Sequence, residues 1–270
     1  MPSGSHRLSP VPWSEDIPQF SPVATILGIA LLLYAAIGEP LLGRRFFTRL
    51  ERRRGTDPMA LVTFYRVAIG TQWGWTAVIA AILVLSPGLT AAHLGLRAPQ
   101  AWGPLLAAVI GFCLALLVVW VLTRDRQGKS DGPGAGRKQG PVLPPASDPG
   151  GHVLAVLAPR SRRERRTAGV LAATAGICEE LLYRGLFVAL GVSLGLPVWV
   201  AAVVSCLLFA FAHLYQGWWG LVGPGLLGAL FMVVYLGTGS LLIPIVLHMA
   251  LDMRSLLFTG GGRRHRARAL

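Results

Sequence analysis

An all-α membrane bundle is the fold this sequence predicts, and three observations predict it. Apolar residues gather into runs of roughly 17 to 25, the length that carries an α-helix across about 30 Å of hydrocarbon. Only 14% of the residues are charged against 53% hydrophobic, with a mean hydropathy of +0.58, far from the roughly 25% charged of a soluble domain. The arginines fall between runs and on alternate sides of them.

Seven runs can be marked: 22–42, 61–85, 103–122, 168–190, 197–214, 219–237 and 241–258. The first is followed by Arg44, Arg45, Arg49, Arg52, Arg53 and Arg54, a basic flank that belongs on the cytoplasmic side. A cleaved signal peptide is the competing reading, with Ala36 and Gly38 before a cut. The charge bias argues against it, because cleavage needs the N-terminus inside and only Arg7 precedes the run as a fixed cation. The loop between the second and third runs is nearly bare, with Arg97 and His93. After the third run come Arg124, Arg126, Lys129, Arg137 and Lys138, then the cluster from Arg160 to Arg166. Seven helices with the N-terminus outside and the C-terminus cytoplasmic satisfy every loop. The net charge of +13 is absorbed by this topology, so no nucleic-acid partner is implied.

The organisation that follows is an N-terminal tail (1–21), three helices (22–123), a cytoplasmic linker with an interfacial segment (124–165), a bundle of four helices (166–258) and a basic tail (259–270). The linker is rich in Gly, Pro and charge and has no hydrophobic period. The four later runs are joined so closely that they pack as one antiparallel bundle. Cys113, Cys178 and Cys206 lie inside apolar runs without paired spacing and read as small buried hydrophobes.

An ionisable side chain at the bilayer centre costs about 2.5 to 3.5 kcal/mol on insertion scales, so each one inside a run is a functional candidate. The last four runs hold Glu179, Glu180, Arg184, His213, His248, Asp252 and Arg254. Glu180 and Arg184 are one helical turn apart and face each other as an ion pair. Glu179 is rotated about 100° from Glu180, so it cannot share that arginine equally. A carboxylate left free in a low-dielectric site can take and give protons near neutral pH when water reaches it, and Glu179 is the candidate. His248 and Asp252 share a face, the aspartate fixing the imidazole tautomer or itself facing the reacting group. His213 supplies a second imidazole. Each residue also has a structural explanation in helix packing; their concentration in three helices is what points to chemistry.

Glu179-Glu180-Leu181-Leu182-Tyr183-Arg184 reads as EExxxR, Phe209 to His213 as FxxxH and His248 to Asp252 as HxxxN/D. Three such motifs in this order resemble the type II CAAX prenyl protease and bacteriocin-processing (CPBP, Abi) family over about residues 165–258. The resemblance implies an intramembrane endopeptidase in a bacterial plasma membrane, its site opening toward the cytoplasm and its substrate a peptide or lipidated protein. Glu179 and His213 would activate water, His248 with Asp252 would hold the oxyanion, and Glu180 with Arg184 would support them. Because Asp252 stands where many members have asparagine, orienting His248 is its safer role. Members are often called metalloproteases, yet the chain lacks HExxH. Zinc on His213, His248 and Glu179 and a metal-free glutamate mechanism explain the same residues. A proton-coupled transporter and a non-catalytic membrane scaffold are the alternative functions; a haem carrier would leave both glutamates and the arginine without a role.

One tension concerns depth. Counting from Arg166 places Glu179 near 20 Å into the membrane, whereas His213 closes its helix near the cytoplasmic end. The two meet if residues 152–170 lie partly along the interface or if the fourth helix is tilted.

Overall fold

The computed structural model describes residues 17–103, 106, 110–111 and 149–258. The N-terminal tail, most of run three, the linker and the basic C-terminal tail therefore lie outside the described residues. Among those described there is no strand, and seven helices are defined. Helix α1 spans Pro22–Arg53 and α2 Ala60–Leu85. A short α3 covers Pro149–Leu157, and α4 runs over 162–193. Helices α5 (Val198–Ala212), α6 (Trp218–Thr238) and α7 (Leu242–Phe258) complete the set. Six of the seven apolar runs thus coincide with helices, and α1 continues well past its run into the arginine-rich stretch.

Local chemistry accounts for the boundaries. The Ser21 hydroxyl caps α1 by accepting from the Ala24 amide, with Pro22 in the first turn where no donor is needed. Ser161 and Glu164 form a reciprocal capping box that starts α4. At the end of α6, Gly239 adopts φ +67°, a left-handed conformation that costs glycine no Cβ clash, and its amide returns to the Tyr235 carbonyl.

Helices α1, α2 and Gly220–Thr238 within α6 are long and apolar enough to cross a membrane, and α5 is a shorter apolar helix. The surface agrees, since Ile26, Val84, Trp199, Leu226, Val233 and Val246 all face outward. So many exposed large apolar side chains call for lipid as the surrounding solvent.

Two interior clusters hold the bundle. The larger gathers Trp75, Ile79 and Ile82 of α2 with Leu182, Tyr183 and Leu186 of α4 and Phe209 of α5. The smaller packs Phe47, Leu50, Leu61 and Tyr65 against Val153, Val156 and Leu157, so α3 docks on the ends of α1 and α2. A polar latch reinforces that docking. Arg54 donates to both Glu164 oxygens at 2.7 and 3.3 Å and to the carbonyls of Val156 and Ala158, while the Tyr65 hydroxyl donates to the Leu157 carbonyl.

Close approach of α4 and α7 is set by Gly176. A Cβ there would overlap Met249 Cγ and lie 3.0 Å from the Met249 nitrogen and 3.1 Å from the Ile245 oxygen, so the Met249 side chain and the α7 backbone would both have to give way. Absence of a side chain at 176 is what lets α7 carry His248 up to the two glutamates of α4.

Candidate active site

Glu179 ends the α-helical part of α4, and a π-helical turn, Glu180–Leu186, follows it. Such single turns widen the helix by one residue and recur at functional sites. Here the turn is wholly buried and contains Glu180, Tyr183 and Arg184.

Glu180 Oε1 is a shared acceptor. Arg184 Nη1 donates to it at 2.9 Å and His248 Nδ1 at 2.8 Å. Arg184 also donates to the Gly228 carbonyl at 3.1 Å, and its guanidinium lies 4.3 Å from the centre of the Phe209 ring. The expected pairing of Glu180 with Arg184 is therefore present, and it is tied through Phe209 and Gly228 to α5 and α6. Removing one member of so buried a pair costs about 3 to 5 kcal/mol, because the other charge is stranded.

Glu179 is held differently. Its Oε1 accepts from Gln72 Nε2 of α2 at 2.7 Å, while Oε2 has no hydrogen-bond partner among the described residues. That second oxygen lies 3.7 Å from His248 Nε2, beyond direct hydrogen-bond distance. Because a carboxylate only accepts, the Glu180 contact fixes Nδ1 of His248 as the protonated nitrogen. Nε2 is thereby turned toward the space in front of Glu179.

Asp252 does not orient His248 in this geometry. Its Oδ2 stands 3.8 Å from Nε2, and its side chain is one-third exposed. One-turn spacing puts the two residues on a common face, but the buried, arginine-anchored Glu180 takes the imidazole proton instead. His213 follows the last residue of α5, where its Nδ1 donates to the Phe209 carbonyl at 2.9 Å. In the neutral ring this leaves Nε2 as an acceptor.

All four of the expected catalytic side chains, Glu179, His213, His248 and Asp252, line one cavity of about 390 Å³. Glu179 and His213 therefore do meet, at a cavity reached by an α4 that begins at Arg162 after α3 has ended at Leu157. The same cavity is walled by α1 and α2 through Tyr34, Glu39, Phe46, Gln72 and Trp75. Glu39 follows a second π-helical turn, Tyr34–Gly38, and its Oε2 accepts from the Tyr183 hydroxyl at 2.6 Å. Gln72 and Trp75 carry no signal in the sequence, because an uncharged glutamine and a tryptophan in a long apolar helix give no motif.

The zinc set named from the sequence, His213, His248 and Glu179, is not drawn together into a ligand cluster in this structure. Among the described residues no three His, Cys, Asp or Glu side chains are gathered so as to hold a metal ion. His248 and His213 each spend Nδ1 on a protein acceptor and keep Nε2, the nitrogen a metal ion would take.

Fold and site together define an integral membrane protein whose helices enclose a carboxylate and imidazole cluster. Residues 166–254 match the family model of the Type II CAAX prenyl endopeptidase Rce1-like proteins, so the resemblance read from the three motifs is borne out over that stretch. The match covers about a third of the chain. No curated protein and no solved structure matches the sequence.

Proposed function

We propose that the protein is an intramembrane endopeptidase in which Glu179 activates water against a peptide bond. One observation carries the reading: Glu179 and His248 line one cavity of a membrane protein, and the Glu179 Oε2, which has no hydrogen-bond partner among the described residues, lies 3.7 Å from His248 Nε2. A general base needs an acceptor atom not already spent on a protein donor, and a developing oxyanion needs a donor nearby. Those two atoms supply the pair.

Glu179 Oε2 takes a proton from water as the water oxygen bonds to the scissile carbonyl carbon. His248, held by Glu180, donates from Nε2 to the oxyanion in its imidazolium form. His213 Nε2 accepts the second hydrogen of the water and so orients its lone pair. As the carbon–nitrogen bond breaks, Glu179 passes its proton to the leaving amine. Asp252, at the exposed edge of the cavity, acts on the imidazolium by charge rather than by a hydrogen bond.

The matched family description names a prenyl endopeptidase, which favours a lipidated peptide as substrate. An apolar cavity wall supports the same choice, with Phe46, Phe64, Val67 and Trp75 beside the polar cluster. The arginines at the end of α1 support a multi-pass topology with the N-terminus outside and the cavity opening toward the cytoplasm.

The test is cleavage of a fluorogenic, farnesylated peptide ending in a CAAX sequence by protein in proteoliposomes. Wild type is compared with Glu179→Gln and His213→Ala, each with and without 1,10-phenanthroline. Cleavage lost in both variants and indifferent to the chelator is expected. Variants as active as wild type would overturn the site, and full inhibition by the chelator would overturn the metal-free mechanism.

A further inference from the structure

Helix α2 contributes two polar groups to the cavity that the proposed chemistry does not use. Gln72 is 6% exposed and Trp75 5% exposed, and they lie one turn apart on the same face. Gln72 Nε2 is spent on Glu179, but Gln72 Oε1 is buried and has no hydrogen-bond partner among the described residues. Trp75 Nε1 is in the same condition. Both side chains line the cavity that holds Glu179.

Burying a donor or an acceptor without a partner costs about 1 to 3 kcal/mol each, so such groups are rarely left idle. Their chemistry is complementary to an amide: Trp75 offers one N–H, Gln72 one carbonyl oxygen. A peptide backbone carries one acceptor and one donor per residue and needs both satisfied when it leaves water.

We propose that Gln72 and Trp75 form a backbone-binding subsite for the substrate peptide. Trp75 Nε1–H donates to a substrate carbonyl oxygen next to the scissile bond, and Gln72 Oε1 accepts a substrate amide N–H. Through its other amide atom Gln72 holds the base, so docking of the peptide and aiming of Glu179 are joined in one side chain. This inference rests on the peptidase reading and adds to it a site outside the matched segment 166–254.

Trp75→Phe keeps the ring and removes the donor; Gln72→Met keeps the length and removes both polar atoms. With the farnesylated peptide, Trp75→Phe is expected to raise KM about two- to tenfold, the value of one hydrogen bond, with kcat unchanged. Gln72→Met should raise KM and also lower kcat, since Glu179 loses its tether. A peptide N-methylated at the backbone nitrogen next to the scissile bond should be a poorer substrate for wild type, and Gln72→Met should no longer discriminate against it. Anisotropy of the same peptide carrying a dye, bound to wild type and to both variants, gives affinity independently of turnover. Equal affinity in all three proteins, with both variants folded by thermal unfolding, would overturn the subsite. If Glu179→Gln abolishes cleavage while Trp75→Phe and Gln72→Met behave as wild type, the subsite alone falls. If Glu179→Gln cleaves normally, the peptidase site falls instead, and weaker anisotropy binding in both variants would still support the subsite.

Discussion

His248 Nδ1 lies 2.8 Å from Glu180 Oε1, and that contact joins α7 to α4 across 68 residues of chain. Arg184 donates to the same oxygen, so a single carboxylate atom holds the His248 imidazole and a buried guanidinium together. Glu180→Gln should therefore act first on the fold. A loss of about 3 to 5 kcal/mol is expected, read as a large drop in unfolding temperature in detergent. Arg184→Lys should rescue little, because an ammonium cannot bridge Glu180 and the Gly228 carbonyl as a planar fork does.

Glu179→Gln should separate chemistry from stability. The amide keeps the shape of the side chain but cannot take a proton, so kcat is expected to fall by about 10² to 10⁴. The unfolding temperature should stay near that of wild type, measured alongside peptide cleavage.

Gly176→Ala is expected to inactivate the protein without touching a polar side chain. Its methyl group would press on backbone atoms of Met249 and Ile245, pushing α7 and His248 away from the glutamates. Gly169 lies in the same helix with open space where its Cβ would stand. Gly169→Ala should leave cleavage unchanged and raise stability by about 0.4 to 1 kcal/mol. Comparing the two by thermal unfolding and activity checks the close-packing argument.

Acid should loosen the latch between α3, α4 and α1. Burial alone would push the Glu164 carboxyl up, but bonds from Arg54 and from the amides of Arg160 and Ser161 favour the charged form and hold it below its ordinary value. A lowered folded-state value means stability that is present above the unfolded value of about 4.3 and is lost as pH falls below it. Wild type should lose unfolding temperature between about pH 5 and pH 3. Glu164→Gln should start lower at neutral pH and show a flatter acid limb.

Hydrophobic run length is enough to place six helices, since the cost of exposing backbone to lipid dictates helix wherever a run is long. The Glu180 to Arg184 pair is legible for a similar reason, one turn of helix leaving few other partners. Asp252 stands 3.8 Å from His248 as its spacing suggests, yet the imidazole gives its hydrogen bond to Glu180, because spacing along one helix says which face a residue takes, not which neighbour from another helix meets it there. The π-helical turn after Glu179 is equally invisible, as it inserts one residue between motif positions that a regular helix would space differently. Gln72 and Trp75 stay hidden because long-range packing alone brings α2 to the cavity, whereas Glu39 is visible as an ionisable residue near the end of the first run and only its partner Tyr183 is not.

The cavity's two sides come from different portions of the chain, the carboxylate and imidazole cluster from α4, α7 and the end of α5 and much of the opposite wall from α1 and α2. On the proposed reading, chemistry and selectivity would then rest largely on different helices, with Gln72 of α2 the link between them. Substitutions at Phe46, Phe64, Val67 or Trp75 would alter which peptide is admitted while the bond-breaking groups keep their places. Two chains bearing the same three motifs could then cut different proteins, and transplanting the first two helices from one to the other would transfer the choice of target.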